Sequence, residues 1–150
     1  MANKQTIHLL QDYPVPASRV FDFFSDHNRM GEVFPAFIRR IKDSKDPKNC
    51  NGLGSVRLLV TFPLFFQETI TKYEPNKLIE YRITSASPLK NHIGTMRFID
   101  LENGSSRLDY TIEFEGLIPA SGFILKNVLE KQVGGAVREL AKRFGKNPNY

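Results

Sequence analysis

The 150-residue sequence contains one cysteine and no tryptophan. A lone thiol excludes an intramolecular disulfide, and Cys50 stands between two asparagines without the His and acid contexts that mark nucleophilic cysteines, so a reducing, cytoplasmic location is expected. Only three histidines occur, and His8, His27 and His92 lack the spaced His, Cys or carboxylate partners of a metal site; no metal is expected. There is no Gly-x-Ser-x-Gly elbow for acyl transfer. Gly52-Leu-Gly54 continues as Ser-Val-Arg57, which is neither a P-loop nor a dinucleotide fingerprint, so neither a nucleotide nor any other cofactor is expected. Long apolar runs are missing too. The richest, Leu58 to Phe66, is broken by Pro63 and is too short for a transmembrane segment, and Met-Ala-Asn-Lys-Gln-Thr at the start carries no stretch of signal-sequence length.

What is present points to a folded domain. Apolar residues make up 41% and charged residues 25%, which is the balance of one globular domain over 1–150 with a core large enough to hold an internal pocket. Lys and Arg number 21 against 16 Asp and Glu, a net charge of +5. That excess is dispersed: Arg39, Arg40, Lys42, Lys45 and Lys48 are interrupted by Asp43 and Asp46, and Lys142, Arg143 and Lys146 sit where a helix C-terminus favours cations. Specific nucleic-acid binding is therefore not expected.

Residues 5–13 read as a strand, with Leu9-Leu10 blurring its alternation, and Pro14-Val-Pro16 ends it. Val20, Phe21 and Phe24 fall at helical spacing over 17–25, with Ser18 as N-cap, and 28–33 reads as a second short helix. Six further strands are expected near 37–44, 54–62, 65–74, 77–85, 91–101 and 106–115. The connections are too short for crossover helices, so the sheet is an antiparallel meander. Leu125, Leu129, Val133, Ala136, Leu140 and Phe144 then recur at steps of three or four in a long helix over 121–144. Gly134 and Gly135 interrupt it, marking either close approach to the backbone of a neighbouring element or space beside a ligand.

Leu108, Tyr110, Ile112 and Phe114 share one face of the last strand, opposite five polar residues, the pattern of a sheet with one dry side. A three-residue loop through Ser105 would set Phe98 opposite Tyr110 and Met96 opposite Ile112, keeping the faces matched and turning His92 to the dry side. Tyr81, between Ile79 and Ile83, also points inward. The two phenols either bond to backbone or water, or orient a ligand carbonyl or hydroxyl. Glu68 shares parity with Phe66 and Ile70, where a carboxylate becomes a candidate general acid or base. Lys72 has the same parity, however, so that face is either wet or bulged. His92 is either a proton shuttle or a structural rim histidine.

A strand, two short helices, six antiparallel strands and a long C-terminal helix form the order of the helix-grip fold, of class α+β. With Tyr13-Pro-Val-Pro-Ala-Ser-Arg-Val-Phe21, Val33-Phe-Pro35, Gly52-Leu-Gly-Ser-Val-Arg57, Glu68-Thr-Ile-Thr-Lys-Tyr-Glu-Pro75, Leu78-Ile-Glu-Tyr-Arg82 and the terminal helix, almost the whole chain resembles the START-like, Bet v 1-like superfamily (SRPBCC), near its polyketide cyclase/dehydrase and lipid-transport group. The resemblance implies a seven-stranded curved antiparallel sheet wrapped around the long helix, with a hydrophobic cavity between them.

On that resemblance the leading expectation is a carrier or sensor enclosing a small hydrophobic molecule such as a lipid, polyketide or quinone. The ligand would be bound by Tyr81, Ile83, Met96, Phe98, Tyr110, Ile112, Leu125 and Leu129. One alternative is a cyclase or dehydratase in which the cavity folds a reactive chain and Glu68, His92 or a tyrosine moves protons. Another is a protein-interaction module using the basic surface. The Phe62, Leu64, Phe65, Phe66 tip either touches a membrane transiently or covers the cavity mouth.

Overall fold

The computed structural model describes residues 3–150. The chain runs β1 (Lys4–Tyr13), α1 (Ala17–Ser25), one 3-10 turn (Met30–Glu32), β2 (Phe37–Lys42), β3 (Val56–Thr61), β4 (Leu64–Glu74), β5 (Leu78–Ile83), β6 (Leu89–Asp100), a second 3-10 turn (Glu102–Gly104), β7 (Ser106–Gly116) and α2 (Ser121–Lys146). All seven strands form one antiparallel sheet, ordered β1-β7-β6-β5-β4-β3-β2, so the first strand returns to pair with the last. This is the helix-grip arrangement. The second short helix expected over 28–33 is only the Met30–Glu32 turn.

Local chemistry differs from expectation at three places. Ser18 does not cap α1. Pro16 occupies the cap, and the Asp100 carboxylate accepts a hydrogen bond from the Ala17 N–H at 2.8 Å, satisfying an end of α1 from across the fold. Between β6 and β7 the loop has five residues, closed by the Leu101 N–H on the Ser105 carbonyl at 2.9 Å, with Asn103 and Gly104 at positive φ. The longer loop moves the register by two residues, so Met96 faces Tyr110 and Phe98 faces Leu108. An even shift preserves parity, and the dry face keeps its residues.

The third difference explains the Glu68–Lys72 conflict. β4 carries a bulge between Ile70 and Lys72: Ile70 pairs with Tyr81 but Lys72 pairs with Glu80. Glu68 and Ile70 point inward, and beyond the bulge Tyr73 takes the inward role while Lys72 turns to solvent. A similar irregularity lies between Lys90 and Ile93 of β6, where Asn91 adopts φ 50° and lets Leu89 and His92 both face the interior.

α2 is divided along its length. Val133, Ala136, Val137, Leu140 and Phe144 are buried against the sheet. Tyr13 donates a hydrogen bond from its hydroxyl to the Val137 carbonyl at 3.1 Å and meets Phe144 edge to face. The first turns are looser: Leu125 and Leu129 are half-buried, and Phe123, Ile124 and Val128 are exposed. The two mid-helix glycines do not mark close backbone approach. A Cβ at Gly134 would meet only the Arg138 guanidinium, and one at Gly135 would meet nothing within 4 Å. Tight contacts occur instead where Gly116 lies against Gly122, and at Gly94. Among the described residues no helix is long and apolar enough to cross a membrane.

Candidate functional site

The curved sheet and the N-terminal half of α2 leave a cavity of about 300 Å³ between them. Its walls are mostly apolar, supplied by Leu59 and Phe66 from the sheet, Phe34 and Ala36 from the segment before β2, and Leu125 and Leu129 from α2. Six of the eight residues expected to bind ligand line this space: Tyr81, Ile83, Tyr110, Ile112, Leu125 and Leu129. Glu68 and His92 line it as well. Met96 and Phe98 do not. They lie further along β6 in the packed core, where Phe98 meets Phe21 edge to face at 5.1 Å, because α1 covers that end of the sheet.

One side of the cavity is polar, and it is built around a residue the expected set did not include. Arg57 on β3 is 1% exposed, and Glu68, its direct partner on β4, is 5% exposed. The guanidinium donates from Nε to Glu68 Oε2 at 2.6 Å, its second amino nitrogen lies 2.6 Å from the same oxygen, and the third reaches Met30 Sδ at 2.7 Å. Arg57 also sits over the Tyr81 ring, 4.6 Å from its centroid. Burial is the largest influence and opposes the charge on Arg57, but Glu68 and the neighbouring phenols together more than offset it, and the guanidinium stays above its ordinary pKa.

Tyr81 and Tyr110 hydrogen-bond to each other through their hydroxyls, so each phenol's partner is the other. Gly94 makes this possible. It pairs with Tyr81 across β5 and β6, and a Cβ there would fall 2.2 Å from Tyr81 Cζ, so only glycine lets the ring lie across β6 toward β7. Burial pushes both phenols above their usual pKa, and the site holds them as neutral hydroxyls.

The His92 ring lies tilted beside the Tyr81 ring, 5.5 Å away. It is 7% exposed, and its Nδ1 has no hydrogen-bond partner among the described residues. Burial lowers its pKa, Glu68 opposes that shift, and Arg57 adds to it; the net direction favours neutral imidazole. A neutral histidine offers one donor and one acceptor, and the Nδ1 of this one is buried and unpaired. His27, the other buried histidine, lies outside the cavity wall and bonds through Nε2 to Ser55 Oγ at 2.8 Å.

The mouth is rimmed by the β3–β4 connection, where Phe62, Pro63 and Leu64 border the cavity and Phe62 is 95% exposed. Among the described residues no cluster of His, Cys, Asp and Glu is arranged to hold a metal ion.

Residues 5–147 match the family model described as polyketide cyclase/dehydrase and lipid transport. No curated protein matches the sequence. Among solved structures the chain is similar to a START superfamily protein from Mycobacterium smegmatis, at 12% identity and TM-score 0.78, covering 94% of this chain and 97% of that one. It is also similar to the Zhui aromatase/cyclase from Streptomyces sp. R1128, at 16% identity and TM-score 0.76, covering 98% and 99%. A third is truncated norcoclaurine synthase from Thalictrum flavum, at 11% identity and TM-score 0.72, covering 97% and 96%. Likeness at these identities speaks to fold.

Proposed function

The chain belongs to the polyketide cyclase/dehydrase and lipid transport family of the START-like, Bet v 1-like superfamily, and we propose that it is a carrier or sensor for one small, largely apolar molecule with a single polar end. The observation that carries this reading is the unfilled volume between sheet and α2. Protein interiors pack to crystal density, so a cavity of about 300 Å³ lined by aliphatic and aromatic side chains is empty space that costs stability unless a guest fills it. An engineered cavity of about 150 Å³ holds benzene, so this one suits a bicyclic aromatic or a single short chain. Apolar contact supplies the affinity, and the grouping of His92, Tyr81 and Tyr110 at one side supplies orientation.

Native mass spectrometry of freshly purified protein tests the reading. A bound small molecule that is released on denaturation is the expected result. Protein that carries no guest and gives no saturable binding of apolar fluorescent probes would overturn it.

A second reading, a cyclase or dehydratase, is favoured by the His92 imidazole on the cavity wall, held neutral by burial. A neutral imidazole with one unpaired nitrogen is equipped to accept a proton from a carbon acid or hydroxyl held against it. Under this reading His92→Asn keeps ligand binding and abolishes turnover, whereas a carrier has no turnover to lose.

A further inference from the structure

Among the cavity-lining residues only Arg57 and Glu68 carry formal charge, and they are committed to each other. Two of the three guanidinium nitrogens address Glu68 Oε2, the third faces Met30 Sδ, and the planar group rests on the Tyr81 ring. Arg57 is only 1% exposed, so little of the cation is open to a second anion. The remaining polar groups beside the pair are uncharged: the Tyr81 and Tyr110 hydroxyls and the His92 imidazole.

A ligand carboxylate or phosphate entering this space would lose its water, find Arg57 already neutralised, and stand as a second negative charge beside Glu68. A ketone, phenol or alcohol would lose far less on desolvation and needs only one neutral hydrogen-bonding partner. From this we infer that Glu68 is a specificity-determining residue: as the built-in counterion of Arg57 it makes the cavity select neutral carbonyl or hydroxyl compounds and reject the corresponding acids. The inference rests on the cavity-binding reading above and names its ligand class. It also gives Glu68 a role distinct from acid or base catalysis, since its carboxylate is held by Arg57.

The test uses two probes of one skeleton, 2-naphthol and 2-naphthoate, titrated calorimetrically at neutral pH into the full chain. Wild-type protein is expected to bind 2-naphthol at least about tenfold more tightly than 2-naphthoate, a ratio that corresponds to 1.4 kcal/mol. Glu68→Gln removes the counterion and releases the Arg57 charge, so the ratio should move toward 2-naphthoate by about tenfold or more. The double variant Arg57→Met/Glu68→Leu, which buries no charge, should keep the preference for 2-naphthol.

Equal or tighter binding of 2-naphthoate by wild-type protein would overturn the inference, and so would a ratio unchanged by Glu68→Gln. Should Glu68→Gln not fold, the wild-type ratio and the double variant still decide: a double variant that binds 2-naphthoate as tightly as 2-naphthol would overturn the inference, because a cavity without Arg57 offers the acid no cation. If neither probe binds wild-type protein, the cavity-binding reading itself fails and takes this one with it.

Discussion

Gly94→Ala is the smallest change that reaches the polar side of the cavity. The new methyl would fall 2.2 Å from Tyr81 Cζ and 2.6 Å from its hydroxyl oxygen, against an ordinary contact of 3.4–4 Å, so the ring must retreat by roughly 1 Å or more. Tyr81 is pinned by the Arg57 guanidinium on one face and by His92 nearby, which leaves little room to move. Overpacking of this kind costs about 1–3 kcal/mol, and separating the two buried hydroxyls adds about 1–3 kcal/mol more. A loss of about 2–6 kcal/mol is therefore expected, a large share of the roughly 5–15 kcal/mol that holds a domain together. Urea unfolding followed by far-UV circular dichroism measures it. Repeating the substitution in a Tyr81→Leu background isolates the cause, because with the ring gone the methyl should cost less than about 1 kcal/mol. Equal losses in both backgrounds, or a loss below about 0.5 kcal/mol with Tyr81 in place, would refute the argument that this glycine exists to let the ring cross β6.

Three other outcomes follow from the same geometry. Leu140→Asp places an unpaired charge in the packed half of α2 and should cost at least about 4 kcal/mol, whereas Leu129→Asp, on the half-buried cavity wall, should cost less than about 2 kcal/mol while weakening ligand binding; thermal melts of both test the division. Gly135→Ala, whose methyl meets nothing within 4 Å, should stabilise the helix by about 1 kcal/mol and raise Tm by roughly 2–4 °C, and a lower Tm would contradict the open space there. Burial pushes His27 from 6.5 down to about 3, with Arg57 and Arg40 adding to the shift. Between those values the unfolded chain takes up a proton that the native state refuses, so stability is constant above pH 6.5 and falls below it by up to about 1.4 kcal/mol per pH unit. Denaturation midpoints that do not change between pH 7 and 5, or a slope undiminished in His27→Gln, would be inconsistent with a neutral buried His27.

Much of this architecture is legible in the residues alone, since period-2 alternation and short turns leave few options once seven strands and one long amphipathic helix are present. Arg57 was equally readable and is the instructive omission. A two-residue Phe62-Pro63 turn between Thr61 and Leu64 places position 57 opposite 68, so the partner of a buried Glu68 followed from the hairpin itself. Gly94 offered a second signal, because glycine inside a strand marks close approach of another group. The bulge at Thr71 was legible only as one of two alternatives, through the shared parity of Glu68 and Lys72, and the one at Asn91 gave no signal, since it exchanges inward and outward residues without any change in composition. Met96 and Phe98 share parity with His92, but alternation gives the face and not the position along it; α1 decides that their end of β6 is packed solid. Helical spacing likewise does not separate Leu129 from Leu140, although one overlooks empty space and the other touches the core.

α2 is supported like a beam at both ends. Its later turns are clamped to β1 by the Tyr13 hydroxyl and the edge of Phe144, its first turn is pressed against Gly116 through Gly122, and the span between them, with Leu125 and Leu129, overlooks a hollow. Guests of different girth can be accommodated by side chains shifting along that span without loosening either support. The fold thereby assigns rigidity to the ends of one continuous rod and adaptability to its middle.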